Sequence, residues 1–239
     1  MCLRTQYTGA ALSRGKSMTN DLNVLIAWAP FLMGGFVWNL IVTVMAVAIG
    51  TSIGAGFAHV RYRNGRLGRR ICEAFSKLFR NVPTLAFMFA AVFILPREIV
   101  LYGVDTPIPF PLWLKAALGL SASVIGFTSE SLLVARQAKD KGDFGAAMLF
   151  LPTWGNSVLI TFVASSTASL AGVSELIGRS NTVIAATGSS SMVAVYVFAA
   201  AVYMLACVLW MVGMTKFRTS SVALSFPRRW AEQAGPVHQ

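Results

Sequence analysis

The feature that most constrains this chain is a long stretch without charge, because no Asp, Glu, Lys or Arg lies between Asp21 and Arg61. About 20 apolar residues in a helix are enough to cross the hydrocarbon core of a bilayer. The stretch therefore predicts a transmembrane helix with its core at Gly34–Ala58. Small residues in this core favour close packing against another helix. They are Gly50, Ser52, Gly54 and Gly56.

The scarcity of charge extends to the whole chain. Only 12% of its residues are charged, against roughly 25% in soluble domains. So few charged side chains leave too little polar surface to keep a globule of 239 residues in water. The composition therefore predicts an integral membrane protein rather than an unusually apolar soluble domain.

Four further apolar segments predict transmembrane helices by the same criterion. They are Asn81–Pro96, Leu112–Val134, Phe144–Val173 and Met192–Thr215. The predicted fold class is an all-α membrane protein with about five transmembrane helices. Residues 1–21 are predicted to be an N-terminal extension, residues 22–217 a transmembrane domain and residues 218–239 a basic tail.

The segments between the predicted spans differ in chemistry. Arg61–Arg80 is basic and its apolar residues recur at helical spacing, which predicts either an amphipathic helix in the membrane interface or a simple charged loop. Prolines and charges in Arg97–Pro111 indicate a loop. Arg136–Asp143 is predicted to be a short charged loop, and Ser174–Ser191 a polar loop with room for one short helix.

The distribution of basic residues predicts the orientation. The net charge is +11, and most Lys and Arg residues follow the first and third spans or lie in the tail. The positive-inside rule then places the N-terminus outside and the C-terminus in the cytoplasm, as an odd number of spans requires. These residues flank apolar runs, so their predicted partner is the lipid bilayer of the inner membrane rather than a nucleic acid.

Motifs for catalysis are missing from the sequence. It contains no GxSxG, no HExxH and no P-loop GxxxxGK[ST], so the chain is not expected to hydrolyse ATP itself. The three cysteines Cys2, Cys72 and Cys207 are scattered, which predicts neither a metal site nor a disulfide framework. An intramembrane enzyme is therefore a weak hypothesis, and a passive channel is a further alternative.

Polar residues inside the apolar runs are the candidates for function. The fourth span contains several neutral hydrogen-bonding side chains, which in lipid face either a neighbouring helix or a wet translocation path. They are Asn156, Thr161, Ser165, Ser166, Thr167 and Ser169. Glu130 near the end of the third span is an acid at membrane depth, which suggests either contact with a solute or a structural role at the cytoplasmic interface.

Four segments together resemble the polar amino-acid permease family of ABC importers, the group of the histidine, glutamine and arginine permeases. The resemblance runs from about Phe31 to Phe217. It is carried by GGFVWNLIVTVMAVAIGTSIGAGFAHVRY, by LFRNVPTLAFMFAAVFILP, by LKAALGLSASVIGFTSESLLVARQ and by LPTWGNSVLITFVASSTASLAGVSEL. The matching residues include Phe79, Arg80, Pro83, Leu85, Glu130, Pro152, Gly155, Asn156, Ser166, Ala168, Ser169, Gly172, Val173, Glu175 and Leu176.

The resemblance implies a type I ABC importer permease fold and a permease subunit for amino acids or similar small polar solutes. Such a subunit would form the translocation path by alternating access. The implied partners are a second permease subunit, two ATPase subunits that use ATP, and a periplasmic solute-binding protein. No cofactor is implied on this chain itself.

Two departures from the family pattern bear on this reading. The family's cytoplasmic EAA loop, which contacts the ATPase, is reduced here to a remnant of about seven residues. The remnant comprises Lys141, Gly142, Asp143, Phe144, Gly145, Ala146 and Ala147. A Lys–Asp pair of the family's fourth helix is replaced by Val163 and Ala164. The alternative is therefore a coupling-defective subunit of an asymmetric heterodimer, or a membrane scaffold without a transport role.

Overall fold

A computed structural model describes residues 3–63, 65–99 and 108–219 of the chain. The predicted tail beyond Thr219 lies outside the described residues, as do residues 100–107 of the predicted loop. Eight α-helices make up most of the described part, and they are α1 Leu3–Arg63, α2 Arg66–Asn81, α3 Thr84–Ile94, α4 Leu112–Asp140, α5 Phe144–Met148, α6 Phe150–Ser165, α7 Leu176–Thr187 and α8 Met192–Thr219. The predicted domain boundaries remain predictions.

Short elements complete the described part. Two 3-10 helices, Ser166–Ala171 and Ser189–Ser191, follow α6 and precede α8. Two short strands, β1 Glu98–Ile99 and β2 Ile108–Pro109, pair antiparallel between α3 and α4.

Four segments of the described chain are long and apolar enough to cross a membrane. They are Asp21–Arg63, Leu112–Asp140, Phe144–Ala171 and Met192–Phe217. Helices α2 and α3 provide a fifth span if they are counted together as one broken span. The predicted all-α membrane fold with about five spans is therefore confirmed.

The break between α2 and α3 explains why the second predicted span is short. The two helices meet at an angle of 103°. Pro83 has no N–H to donate and pushes the preceding residue out of the helical region, and Val82 is accordingly extended with φ −83° and ψ 135°. The 11 residues of α3 rise about 16 Å, which is half of the hydrocarbon thickness.

Helices α1 and α4 run parallel to each other. Trp38 lies 5.9 Å from Trp113 between ring centroids, at the start of α4, and Arg61 pairs with Glu130 further along both helices. Between these levels Gly50 allows close approach, because a methyl group there would lie 2.5 Å from the Val124 Cβ atom. Two parallel spans require the chain to return across the membrane between them.

Helix α3 provides that return by running antiparallel to α4. The backbone of Met88 packs against Gly119 in the middle of both helices. At the end of α3 the Leu95 carbonyl accepts a hydrogen bond of 2.9 Å from Lys115, whose ammonium suits the negative end of the helix dipole. Lys115 is almost fully buried, at 2% exposure. The antiparallel direction makes α3, with the extended residues Val82 and Leu95 at its ends, the crossing part of this broken span, and α2 turns away from it at 103°.

Helices α6 and α8 continue the alternation. Trp154 donates to Thr51 with 3.0 Å between nitrogen and oxygen, and Asn39 donates to Ser165 at 3.0 Å, so α6 is antiparallel to α1. Trp210 of α8 donates to the Gly155 carbonyl of α6 at 3.0 Å. Tyr203, earlier in α8, packs on Phe162, later in α6, with 5.5 Å between ring centroids, so α8 is antiparallel to α6 and runs in the direction of α1. With α2 and α3 counted as one broken span, the chain makes five passes.

Basic side chains collect at one end of this bundle. Among the described side chains, those at this end are Arg61, Arg63, Arg66, Arg69, Arg70, Lys77, Arg80, Arg136, Lys139, Lys141 and Lys216. Nearer the other end, the basic residues whose side chains are described are Arg97, Lys115 and Arg179, and Arg4, Arg14 and Lys16 lie in the N-terminal part of α1. We call the first group's location the basic end and the other the opposite end.

The connecting segments differ from the predictions in two places. The predicted loop Arg136–Asp143 is wrong for its first five residues, because α4 continues to Asp140. The stretch 174–191 holds a helix of 12 residues, α7, as the short-helix expectation allowed. The basic segment is helical over Arg66–Asn81, so the charged-loop alternative is wrong there.

Candidate functional site

Helix α6 presents one exposed stripe away from the rest of the chain. Its members recur every three or four residues and so share one face of the helix. They are Thr153, Asn156, Ile160 and Val163 of α6, with Leu149 directly before the helix and Leu170 after it. We call this face the α6 stripe. It mixes apolar and polar side chains, which distinguishes it from a face that only meets lipid.

The predicted path residues of the fourth span do not share one face. Asn156 lies on the α6 stripe, whereas Thr161 and Ser165 are buried on the opposite face against the rest of the chain. Ser166, Thr167 and Ser169 are half-buried. Their role in a translocation path stays a prediction.

The hydroxyl groups in this set donate to carbonyl oxygens of their own helix. Thr161 donates to the Ser157 carbonyl at 2.8 Å, and Ser165, Ser166, Thr167 and Ser169 make equivalent bonds three residues back. Ser165 also accepts from Asn39, and Thr167 lies 3.7 Å from the Met88 sulfur. The helix itself therefore satisfies most of these donors, and only two of the hydroxyls contact another helix through a described polar contact.

A groove lies beside the α6 stripe at the basic end. It separates α4 from α5 and α6 and encloses about 350 Å³. Its lining includes Arg80, Phe127, Glu130, Ser131, Leu149 and Thr153. We call it the α4–α6 groove. It brings the predicted acid Glu130 next to two members of the α6 stripe, inside a mostly apolar wall.

Glu130 also forms a partly buried ion pair with Arg61. We call Arg61, Ser76, Ser129 and Glu130 the Arg61 cluster. The Arg61 Nη1 atom lies 2.9 Å from a Glu130 carboxylate oxygen and 3.3 Å from the Ser129 hydroxyl. Ser76 of α2 donates to Ser129 at 2.8 Å. The cluster joins α1, α2 and α4, so the structural role expected for Glu130 is present in the fold.

Some polar atoms in and next to the Arg61 cluster have no hydrogen-bond partner within the described part of the chain. Arg61 is 8% exposed, while the Glu130 side chain keeps 40% of its surface exposed to the groove side. The Arg61 Nε atom and the Thr128 hydroxyl are buried without a hydrogen-bond partner among the described atoms. Buried polar atoms are normally paired, so this end of α4 retains polar groups that a rearrangement or a bound water would satisfy.

The predicted coupling remnant, residues 141–147, forms a compact turn. Three residues connect α4 to α5, and Gly142 takes a left-handed conformation with φ +76°, which glycine adopts without steric cost. Asp143 accepts from the Ala146 backbone N–H at 2.9 Å and so caps α5. Phe144 and Ala146 are half-buried and Ala147 is buried, while Gly145 and Lys141 are exposed. The remnant therefore ends close against the bundle instead of projecting from it.

A second acidic cluster, which the sequence did not predict, lies near the opposite end. Glu175 is 1% exposed. One of its carboxylate oxygens accepts from Asn39 at 3.0 Å, from Tyr203 at 3.1 Å and from the Ile177 N–H at 2.9 Å. The other accepts from the Gly178 N–H at 3.0 Å. We call Asn39, Ser165, Glu175 and Tyr203 the Glu175 cluster.

The Glu175 cluster ties α1, α6 and α8 to the start of α7. A carboxylate at a helix N-terminus satisfies free N–H groups and suits the positive end of the helix dipole. Close approach of α1 is possible because a methyl group on Gly35 would lie 2.8 Å from the Leu176 nitrogen. The position of Glu175 directly before a helix was the available signal, but its two distant partners, Asn39 and Tyr203, could not be predicted from sequence spacing.

Within the described residues, no group of three His, Cys, Asp or Glu side chains could hold a metal ion.

Comparison with known proteins identifies the fold. No family model matches the sequence. The structure is similar to a chain in a crystal structure of an amino acid ABC transporter with histidines, with a TM-score of 0.66 and 16% identity over 81% of this chain and 95% of that chain. The predicted transporter fold is thereby confirmed, and the chain shares the fold of a chain of an amino acid ABC transporter.

Proposed function

We propose that the chain is a membrane permease subunit of an ABC importer for amino acids or similar small polar solutes, located in the cell inner membrane. Its fold is that of a chain from an amino acid ABC transporter, and its five passes leave basic side chains at one end. The positive-inside rule favours the cytoplasm for that end, which places the C-terminus inside and the N-terminus outside.

The observation that carries the proposal is the α6 stripe. Asn156 and Thr153 are exposed on it at the depth of the spans. An amide exposed to hydrocarbon leaves donors and acceptors unsatisfied, at a cost of several kcal/mol. A partner chain or a wet path next to the stripe removes that cost. The stripe is thus one wall of a translocation path that a second permease subunit completes.

The α4–α6 groove supplies the mechanism that we propose. It opens at the basic end next to the α6 stripe, and Glu130 and Ser131 add polar groups to its apolar wall. Two ATPase subunits at the cytoplasmic face would use ATP to rock the permease pair between outward and inward states. A periplasmic solute-binding protein would deliver the solute, and this chain itself would hold no cofactor and catalyse no reaction.

The test is uptake by the complete transporter in proteoliposomes. The chain is co-expressed with the other subunits of its own transporter, and ATP-dependent accumulation of labelled amino acids is measured. We expect Asn156→Leu to reduce uptake by about tenfold, since a path-lining amide contributes 1–2 kcal/mol. Ile160→Leu, on the same stripe, is the matched control and keeps uptake near that of the wild type.

Two results would contradict the proposal. Solute flux without ATP would indicate a channel, and equal uptake by the Asn156→Leu and Ile160→Leu variants would remove the α6 stripe from the path.

A second candidate function rests on the compact turn at residues 141–143. Only three residues separate α4 from α5 there, which leaves little to contact an ATPase. The alternative is a coupling-defective subunit of an asymmetric heterodimer, whose mate binds the ATPase, or a scaffold. Grafting an EAA-type loop after Gly142 distinguishes the two: tight ATPase binding without the graft counts against the uncoupled reading, and binding only with the graft supports it.

A further inference from the structure

Helix α2 turns an apolar stripe outward instead of toward the protein. Leu67, Ile71, Phe75 and Leu78 are 74%, 49%, 47% and 48% exposed. Their spacing of three or four residues places them on one face of the helix. The opposite face is the buried one, where Ser76 bonds to Ser129 of α4. An amphipathic helix in a soluble protein would bury the apolar side, so the outward stripe requires an apolar environment outside the chain.

Basic side chains border this stripe on one side. Helix α2 carries five basic residues and the single acid Glu73. The basic residues are Arg66, Arg69, Arg70, Lys77 and Arg80, and all five are exposed. Lys77 pairs with Glu73 at 2.8 Å, and the arginines form no ion pair within the described residues. The flank therefore retains positive charge that attracts anions.

The bend of 103° between α2 and α3 sets the direction of the helix. Helix α3 runs along α4 through the membrane, so α2 lies roughly parallel to the membrane plane. It packs against α4 near Gly126 and Ser129, and α4 continues from there to Asp140, about 16 Å further toward water. This depth matches the boundary between acyl chains and headgroups, where interfacial helices lie.

We propose that α2 is a binding site for anionic phospholipids, with its apolar stripe among the acyl chains and its arginines on the headgroup phosphates. Arginine binds phosphate through paired, charged hydrogen bonds. Phe75 of the stripe lies 6.5 Å from Phe57 of α1 between ring centroids, and Ile53 of the same span is 42% exposed. The stripe therefore adjoins the apolar surface of a span, which favours a lipid over an acidic protein surface as its occupant. The proposal requires only that the chain lies in a membrane, so its failure would leave the transport proposal intact.

The test measures lipid selectivity of the full chain in phosphatidylcholine vesicles that contain a trace of spin-labelled phosphatidylglycerol or spin-labelled phosphatidylcholine. The motionally restricted fraction of each label gives its relative association with the protein. At about 0.15 M salt, where only nearby charges act, we expect a roughly fivefold preference for phosphatidylglycerol. Replacing three arginines, Arg66→Gln, Arg69→Gln and Arg70→Gln, is expected to bring the preference close to one.

A matched triple variant controls for the general charge of the basic end. Arg63→Gln, Arg136→Gln and Lys141→Gln remove the same charge outside α2, and we expect them to keep most of the preference. A further variant, Leu67→Ser with Ile71→Ser, keeps the charge but removes the apolar anchor, and we expect it to lower the preference. Helix content measured by circular dichroism establishes that each variant is folded.

Three results would overturn the proposal. If the two charge variants lose the preference for phosphatidylglycerol equally, the lipid is attracted by the basic end in general and not by a site on α2. An unchanged preference in the serine variant would contradict insertion of the stripe. No preference in the wild-type chain, reconstituted without any other protein, would exclude the lipid and leave an acidic protein surface as the occupant of α2.

Discussion

The two buried acidic clusters occupy opposite ends of the bundle and are built differently. Glu175 is almost fully buried and accepts four hydrogen bonds from neutral donors on three helices. Glu130 keeps 40% of its side chain exposed and faces a cation, Arg61, whose Nε atom has no partner among the described atoms. One acid is thus enclosed by the fold, while the other remains accessible beside a groove.

The difference indicates which end of the molecule is fixed and which is adjustable. A carboxylate without water needs every acceptor site filled, and the Glu175 cluster fills them by fixing α1, α6, α7 and α8 together. The Arg61 cluster instead leaves the Arg61 Nε atom and the neighbouring Thr128 hydroxyl unpaired among the described atoms. If the chain alternates between states, the movement belongs at the basic end, where the α4–α6 groove opens.

The largest effect is expected from Glu175→Ala. The substitution removes the acceptor of the Tyr203 hydroxyl, of two backbone N–H groups of α7 and of one Asn39 hydrogen bond, which costs about 3 kcal/mol of folding free energy. The measurement is the denaturation midpoint of the purified chain in detergent. A loss of folding free energy below about 1 kcal/mol would contradict the claim that the Glu175 cluster holds the helices together at the opposite end.

Backbone packing offers a second comparison between the ends of α1. Gly35→Ala places a methyl group 2.8 Å from the Leu176 nitrogen, an overlap that costs about 2 kcal/mol. Gly56→Ala, toward the basic end, meets nothing within 4 Å and gains up to about 1 kcal/mol in helix propensity. The same denaturation assay checks both, and equal effects would dismiss the tight contact between α1 and α7.

A smaller loss, about 1 kcal/mol, is expected for Arg61→Ala. Glu130 is exposed enough to be hydrated after its partner is removed, so solvent screening limits the cost. Comparing Arg61→Ala, Glu130→Ala and the double variant isolates the pair in a double-mutant cycle. A coupling free energy as large as the loss in Glu175→Ala would erase the proposed contrast between the ends.

The smallest effect is expected from Tyr203→Phe. It removes one of the four hydrogen bonds to Glu175 and leaves the ring packed on Phe162, with 5.5 Å between centroids. The expected loss is about 0.5–1 kcal/mol, measured by the same denaturation curve. An unchanged folding free energy would mean that the hydrogen bonds from Asn39 and the α7 backbone alone stabilise the buried Glu175 carboxylate.

The spans were predictable because they depend on local composition. The apolar core Gly34–Ala58 lies inside α1, and the third to fifth predicted spans correspond to α4, α6 and α8 with their flanking turns. Pro83 gave a local signal for the break before α3. The transporter fold expected from the resemblance is also confirmed, because the matched segments cover most of the spans.

The features that the sequence did not predict depend on contacts between distant residues. Asn39 and Glu175 are 136 residues apart, and no spacing rule brings them together. The charges of Arg136–Asp140 suggested a loop, but these residues form the end of α4, beyond its contact with α2 at Gly126 and Ser129. The hydroxyls of α6 suggested a polar lining, although most of them bond to their own helix and only some of the set face outward.

The central claim is that five passes leave the basic end in the cytoplasm and α7 near the outer face. Cysteine accessibility tests it directly, in a chain whose own cysteines Cys2, Cys72 and Cys207 are replaced by serine. Lys141→Cys and Ser190→Cys place one thiol each at exposed positions of the two ends. In intact spheroplasts, a membrane-impermeant maleimide should label Ser190→Cys at once and Lys141→Cys only after permeabilisation. Labelling of both from the same side, or in the reverse order, would contradict the account.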